Sequence, residues 1–303
     1  MYEAKQLVFY TCVSPVHMGA GSAVGAIDNP IQREVHTEYP LIAGSGLKGA
    51  VRHHFGRSWG EGSEALIARI FGPEKDASDH AGAIAFTDAA LVAFPVRSLK
   101  NTYVYATSPT ALGRLKRLAD GAAPWAVPVP AEGNALLASS GALSNNRLVL
   151  EAFDFSGKED EGVKAIALWL AQHTLPAGDE HKFFRDKLAA DLVVLSDTEF
   201  SHFVRHATVV EAHVRINDAS GTASEGGLFY TENLPPETVL AGIVMASVER
   251  RKSGTNAGGL MNAQQVLDVV LKDDGKRQGI SGRLLQVGGD ATTGRGLIVV
   301  HSA

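Results

Sequence analysis

Short apolar runs and segments with helical periodicity follow one another along the 303 residues of the chain. Runs rich in β-branched and aromatic residues predict strands at 7–13, 192–195, 207–218 and 239–248, and one bent strand or two strands within 82–99. Apolar residues at three- and four-residue spacing predict helices at about 45–56, 63–71, 161–175 and 262–274. Ser108-Pro109 predicts the start of a further helix, which carries Leu112, Leu115 and Leu118. Because these strands and helices do not alternate regularly, the pattern favours an α+β fold with insertions over a doubly wound sheet.

Three other segments lack a clear period. Residues 120–147 are rich in Ala, Gly, Pro and Ser and predict an inserted loop region. The charged segment 177–191 predicts an exposed turn. Residues 208–240 predict a long β-hairpin, since an alternating strand breaks at a turn-forming Asn-Asp-Ala-Ser-Gly sequence and an apolar limb returns to the core. We expect one domain over residues 1–303.

The far side of that hairpin, residues 228–238, has an unusual composition. Two aromatic residues and Leu234 lie close to a Pro-Pro pair. One interpretation is a stiff, partly apolar finger that docks on a partner or separates the bases of a nucleic acid. The other is a sheet edge that prolines protect from pairing.

Composition excludes few functions. Hydrophobic residues make up 45% of the chain and charged residues 20%, as in ordinary globular proteins. No apolar run reaches the roughly 18 residues of a membrane span, and no signal-peptide pattern is visible. The single cysteine, Cys12, is expected to lie buried in a strand. Because one cysteine cannot form a disulfide within the chain, the composition favours the reducing cytoplasm. A net charge of −5 counts against nucleic-acid binding. The argument is weak, because a binding groove needs only local positive charge.

The densest collection of chemically useful residues is the segment 17–52. It begins with His17, and Gly19, Gly21 and Gly25 allow positive φ or close approach to a ligand. Asp28 then precedes Asn-Pro, which excludes a helix there. These features favour a ligand-approaching loop. A dinucleotide fingerprint is disfavoured, because the glycines of such a fingerprint open a helix directly.

A short basic helix follows this loop. Gly44-Ser45-Gly46 opens it, with Ser45 placed to cap the first turn. Lys48 and Arg52 share one face near the helix start. Free amides, the positive end of the helix dipole and two cations together predict a phosphate site.

A second glycine-rich loop lies near the other end of the chain. Residues 287–296 contain four glycines and Arg295. The segment is either a hairpin with bulges or a loop whose amides hold phosphate. Two such loops in one chain favour a polyphosphate or nucleic-acid ligand.

Each candidate side chain also has a simpler interpretation. His17 is equally compatible with a loop histidine bonded to a backbone carbonyl. Asp28 can be a turn former whose carboxylate bonds its own backbone. No His, Cys, Asp or Glu near them has the spacing of a zinc site.

Five segments together resemble a known family, the RAMP-superfamily backbone subunits of the type III-B CRISPR effector, the Cmr complex. IDNPIQRE followed by GSGLKGAVR is the most specific of the shared patterns. The similar segments lie in the expected order and span most of the chain: 17–34, 40–52, 82–99, 227–239 and 286–296.

This resemblance implies a ferredoxin-like (RRM-like) palm with a β-hairpin thumb. It implies a filament subunit that binds crRNA, other Cmr subunits and further copies of itself. It also implies cleavage of complementary single-stranded target RNA at regular intervals, with Mg²⁺ or another divalent cation. A backbone subunit that binds RNA without cleaving it is the first alternative, and a nucleotide-binding metabolic enzyme is a remote one.

The resemblance also assigns roles to residues. Asp28 falls on the family's essential aspartate, and we expect it to be catalytic and a possible metal ligand. His17 falls on the loop histidine, and Tyr230 and Glu232 are the nearest matches to an aromatic and an acid on the thumb, with Glu225 a competitor for the acid. The expected RNA-binding residues are Gly19, Gly21, Ser45, Lys48, Arg52, Arg97, Gly294 and Arg295.

Overall fold

The computed structural model describes residues 2–74, 79–250 and 259–303. The strands are β1 (Ala4–Cys12), β2 (Leu41–Ile42), β3 (Ile84–Phe86), β4 (Ala89–Arg97), β5 (Tyr103–Thr107), β6 (Asn134–Leu137), β7 (Arg147–Leu150), β8 (Phe153–Glu159), β9 (Leu192–Val194), β10 (Val209–Ile216), β11 (Ala223–Asn233), β12 (Val239–Ala246), β13 (Arg283–Gln286) and β14 (Leu297–Ser302). The α-helices are α1 (Gly44–Ser58), α2 (Glu64–Phe71), α3 (Pro109–Leu118), α4 (Glu161–His173), α5 (Lys182–Asp191), α6 (Asp197–His206) and α7 (Ala263–Leu271).

Strands and helices form a mixed α/β fold around one large sheet. In the part of the chain that the structure describes, this sheet has 12 strands. Ten of them form a continuous path in the order β13-β14-β1-β12-β4-β5-β9-β6-β8-β7, while β2 pairs with β4 and β3 pairs with β12. Most neighbours are antiparallel, while β5 with β9 and β6 with β8 are parallel. The strands β10 and β11 form a separate two-stranded hairpin.

Strand β1 lies in the middle of the core and is buried on both faces. Val8 and Tyr10 pack on one face with the apolar sides of α1 and α7. Leu7 and Phe9 pack on the other face with α3 and α4. A strand covered on both sides is mostly apolar on both faces, which explains the apolar run from Leu7 to Tyr10 that predicted it. Cys12 is buried at its end, as expected.

Two segments predicted without regular structure contain elements of the fold. The region 120–147 includes β6, which pairs with β8 and β9 inside the large sheet. The segment 177–191 includes α5. The loop prediction was wrong for 134–137, and the turn prediction was wrong for 182–191, for related reasons. A four-residue strand is too short to show a period, and in α5 Leu188 is the apolar residue that is buried while Phe183 is 68% exposed, so the apolar positions do not mark one buried face.

The finger interpretation was wrong for part of the segment 228–238. Leu228 and Tyr230 are 55% and 38% exposed, but Leu234 is fully buried. The backbone of Leu234 pairs with Val16, next to β1. The end of β11 therefore belongs to the core.

The described residues also bear on membrane insertion. Among them, no helix combines the length and the apolar character needed to cross a bilayer.

Candidate functional site

Three segments that are far apart in sequence meet beside the end of β1. They are the loop 16–34, the glycine-rich loop 287–296 and the hairpin root, by which we mean residues 208–211 and 230–234. The amides of Val16 and Leu234 each donate to the other's carbonyl, at 3.0 and 2.9 Å, and Gly289 N donates to His17 O at 2.9 Å. The two glycine-rich loops from opposite ends of the chain are thus in direct contact.

His17 is held by the hairpin root. Its Nδ1 lies 2.7 Å from the backbone oxygen of Glu232. A carbonyl can only accept, so Nδ1 carries the proton, and in the neutral ring Nε2 then has the free lone pair. The simpler interpretation, a histidine bonded to a backbone carbonyl, is therefore correct, and it leaves Nε2 available for chemistry.

Asp28 is partly exposed and also bonds the hairpin. Its Oδ2 accepts a hydrogen bond from Tyr230 N at 2.7 Å. The backbone beside it pairs with the same strand, because Asn29 N donates to Tyr230 O and Glu232 N donates to Asn29 O, both at 3.0 Å. The carboxylate thus reaches a residue 202 positions away, which differs from the simpler interpretation of a bond to its own turn.

The three candidates on β11 differ in environment. Tyr230 is 38% exposed beside Asp28, and Glu225 is exposed further along the strand. Glu232 is only 3% exposed. Its oxygens accept from Arg33 at 2.5 Å, Thr208 Oγ1 at 2.8 Å and Ile31 N at 3.1 Å. A buried carboxylate with this partner set connects elements of the fold, and of the two acids Glu225 is the one open to solvent.

The start of α1 differs from the prediction. The helix begins at Gly44, and Ser45 lies exposed within its first turn without capping it. Gly44 N donates to Asp88 Oδ1 at 2.8 Å, so a carboxylate of the protein already satisfies one amide of the predicted phosphate site. A Cβ at position 44 would lie 2.2 Å from Phe86 O, which is why glycine stands there.

The two cations of α1 remain beside this start. Lys48 is half-buried, and burial, together with the charges of Arg52 and Arg250, lowers the pKa of its ammonium group. Arg52 Nη1 donates to Gly72 O at 2.9 Å, which fixes its guanidinium. Lys48, Arg52 and Arg250 therefore form a cationic patch. Arg250 was missed in the sequence because it lies about 200 positions from the other two.

The other predicted cations are paired within the chain. Arg97 is exposed and forms an ion pair with Glu151 at 2.8 Å. Arg295 is mostly buried and pairs with Glu211 on β10. Arg295 thus connects the second glycine-rich loop to the hairpin, which the sequence alone does not indicate.

The predicted glycines fall into two groups. Gly21 and Gly294 adopt φ of 93° and 81° in open space. Gly19 and Gly288 lie against His17. A Cβ on Gly19 would be 2.9 Å from His17 Nε2, and one on Gly288 would be 2.3 Å from His17 O. The second group therefore permits the close packing around the histidine.

The residues offer limited support for a metal ion. Within the described parts of the chain, no three His, Cys, Asp or Glu side chains come together as a metal cluster. Asp28 contributes one carboxylate, of which Oδ2 is already bonded. Mg²⁺ is commonly bound by one or two carboxylates together with water and phosphate oxygens, so Asp28 fits as a single protein ligand in the presence of RNA.

Comparisons with known proteins identify the family of the chain. The RAMP superfamily model matches residues 9–299. The CRISPR system Cmr endoribonuclease Cmr4 of Pyrococcus furiosus is 32% identical over 302 residues, which cover 98% of this chain and 95% of the relative.

Solved structures show the same fold. Oligomeric Cmr4 from Pyrococcus furiosus superposes with a TM-score of 0.71 at 26% identity, covering 99% of this chain and 98% of that one. A chain of the type III-B Cmr-beta complex bound to cognate target RNA has a TM-score of 0.73 at 18% identity, with coverage of 99% and 98%, and at that identity it shows the fold alone. The chain belongs to the RAMP superfamily and, within it, to the Cmr4-like subunits.

Proposed function

We propose that the chain is a crRNA-binding backbone subunit of a type III-B CRISPR effector and that it cleaves complementary target RNA. The observation that carries this proposal is the joint attachment of His17 and Asp28 to the hairpin root, by bonds of 2.7 Å each. The relative matched over nearly its whole length is named an endoribonuclease, and a structural neighbour belongs to a complex bound to target RNA. We expect crRNA, target RNA, other Cmr subunits and further copies of this chain as partners.

The strand order supports a ferredoxin-like palm. The elements β1, α1, β4, β12, α7 and β14 follow one another along the chain, and their strands lie in the order β14-β1-β12-β4 with antiparallel neighbours. We assign this unit as the palm and β10–β11 as the thumb. The thumb's root then carries the contacts to His17 and Asp28, so thumb position and site geometry are linked.

The chemistry follows from the groups present. In our proposal the 2′-hydroxyl of the target RNA attacks the adjacent phosphorus, and the bond from phosphorus to the 5′-oxygen breaks. His17 Nε2 accepts the hydroxyl proton, a 2′,3′-cyclic phosphate forms, and solvent water donates a proton to the 5′-oxygen as it leaves. A base displaced by the thumb would let the backbone reach in-line geometry, so positioning supplies much of the rate.

Asp28 is the residue we assign to a divalent cation. A cation held there by the carboxylate and the RNA would neutralise charge on the phosphate. The chain's own contribution is to orient the carboxylate of Asp28. The hydrogen bond from Tyr230 N holds Oδ2, and Oδ1 is the oxygen that would bind the cation. Metal dependence is part of this proposal, and titration of the assembled complex with Mg²⁺ after treatment with a chelator tests it.

Asp28→Asn in the assembled complex is the main test. We expect the cleavage rate to fall by about 10²–10⁴-fold while the affinity for RNA stays within about twofold, because the amide keeps an acceptor for Tyr230 N but loses the charge. Asp186→Asn, an exposed aspartate paired with Lys182 on α5, is the matched control. Continued cutting by the variant would contradict the role of Asp28, and loss of RNA binding would make it structural.

The cationic patch has its own test. We expect Lys48→Ala to weaken RNA binding equally for all guide sequences, since it removes a phosphate contact. The negative slope of log affinity against log salt concentration should become shallower by about 0.7. Filter binding at several salt concentrations measures both, and a loss confined to particular guide sequences would contradict the assignment.

A further inference from the structure

We propose that Arg33 is a positioning residue, which holds the hairpin root against the loop that carries His17 and Asp28 through its ion pair with Glu232. This inference rests on the proposed function and adds to it a residue that acts without contacting RNA. It also gives Glu232 a role different from the catalytic one that the resemblance suggested.

Arg33 joins three parts of the fold. Its Nη1 donates to Glu38 O at 2.8 Å and to Val204 O at 2.9 Å, near the end of α6. Its Nη2 donates to Glu232 Oε1 at 2.5 Å. The two side chains are 20% and 4% exposed, so the pair is largely shielded from water. An arginine suits this site, because its planar group bonds several acceptors in fixed directions.

Glu232 connects its ion pair with Arg33 to the loop that carries His17 and Asp28. Its Oε2 accepts from Ile31 N at 3.1 Å, which fastens the loop three residues beyond Asp28. Its backbone oxygen is the acceptor for His17 Nδ1, and its backbone N donates to Asn29 O. A displacement of Glu232 therefore moves the partner of His17 and the backbone beside Asp28 together.

The opposite side of the hairpin is held in a comparable way. Glu211 stands opposite Thr231 in the ladder, one position from the pair Val210–Glu232, so Glu211 and Glu232 point to opposite faces. Arg295 binds Glu211, and Arg33 binds Glu232. Each face of the hairpin root therefore forms an ion pair with an arginine, and the two arginines come from different loops.

Removing Arg33 leaves a buried carboxylate without its cation. Such a group either takes up a proton or moves towards water. Either change weakens the fixed geometry of the root. Because the side chain of Arg33 bonds Glu38, Val204 and Glu232, the expected defect is in the alignment of His17 and Asp28 rather than in the groups that the site contains.

Hydrogen exchange on the chain alone tests the alignment without any activity. In Arg33→Ala we expect the backbone amides of Tyr230 and Glu232 to exchange at least about tenfold faster than in the wild type, because their bonds to Asp28 and Asn29 open more often. The control is Arg205→Ala, which removes an exposed arginine paired with Glu38 at 2.8 Å and should leave these amides unchanged. Native exchange in Arg33→Ala would overturn the proposal.

Cleavage by the assembled complex is the second readout. We expect Arg33→Ala to lower the cleavage rate by about tenfold or more with RNA affinity within about twofold, and Arg33→Lys to recover part of the rate. Full cleavage by Arg33→Ala would overturn the proposal. If that variant fails to fold, Arg33→Lys and Thr208→Val, which removes another partner of Glu232, decide the question by the same exchange measurement.

The two proposals fail separately. If the wild-type complex does not cleave RNA, the proposed function is wrong, yet the exchange data still decide whether Arg33 holds the root. If Asp28→Asn abolishes cleavage while Arg33→Ala cleaves normally, the function stands and the positioning role is wrong.

Discussion

The strands around β1 and the hairpin β10–β11 are both β structure, but different interactions hold them. Val8 and Phe9 of β1 are fully buried between helices on both sides. On the hairpin, Val214 and Leu228 face each other across the ladder and are 46% and 55% exposed. The hairpin therefore has little core of its own. Its position relative to the sheet depends on hydrogen bonds and ion pairs at the root.

This difference predicts two kinds of response to substitution. In the sheet, loss of apolar contact lowers the free energy of unfolding. At the hairpin root, a change that costs little stability can still displace His17 or Asp28, and catalysis is sensitive to small displacements. Measurements of stability and of cleavage should therefore separate the two regions.

The largest expected effect on stability is in the sheet. Phe94 of β4 is fully buried, and Phe94→Ala should lower the free energy of unfolding by about 3–5 kcal/mol. Val214→Ala, on the exposed face of the hairpin, should change it by less than about 0.5 kcal/mol. Urea unfolding of the two variants measures the contrast, and similar losses would show that the hairpin packs as a core.

A glycine pair sharpens the comparison at the site. Gly288 and Gly294 both have positive φ, at 74° and 81°, so either alanine variant should lose about 1–2 kcal/mol of unfolding free energy. Only at position 288 would the new Cβ meet His17 O, at 2.3 Å. At saturating RNA, where a change in RNA affinity has no effect, the cleavage rate should therefore fall by about 10–100-fold in Gly288→Ala and little in Gly294→Ala. Equal cleavage by the two variants would show that the contact with His17 is unimportant.

The smallest expected effect is on the pH dependence of stability, and it concerns Glu237 at the junction of the sheet and the hairpin. Glu237 lies between β11 and β12, where burial raises the pKa of its carboxyl although Tyr105 donates to it at 2.8 Å. A raised pKa means that the folded state favours the neutral acid. The stabilising contribution is complete below the ordinary pKa of 4.5 and is lost as the pH rises through the folded value.

Glu237→Gln removes this dependence, because the amide stays neutral and keeps an acceptor for Tyr105. Its melting temperature relative to the wild type should therefore increase between about pH 4 and about pH 8. Thermal unfolding across that range measures the difference. A constant difference would show that Glu237 titrates normally in the folded protein.

Much of the site's content was visible in the sequence, whereas its contacts were not. The loop with His17 and Asp28 and the glycine-rich loop 287–296 were recognisable from residue types and the shared motifs. The role of Glu232 was not, since a glutamate on an alternating strand looks the same whether it faces solvent or Arg33. Its partner lies 199 positions away. The cap prediction at Ser45 failed similarly, because Asp88 reaches the start of α1 from another segment.

The sequence by itself determined the elements with long, strong periods. The apolar run of β1, the spacing of Leu47, Val51 and Phe55 in α1 and the Ser-Pro start of α3 each record burial or capping within a few residues, and the structure contains all three. Only the tertiary structure decided that β6 joins the sheet, that Arg33 pairs with Glu232 and that Gly288 packs on His17. Periodicity reports which side of an element is buried, while the partner across the interface depends on how distant segments are brought together.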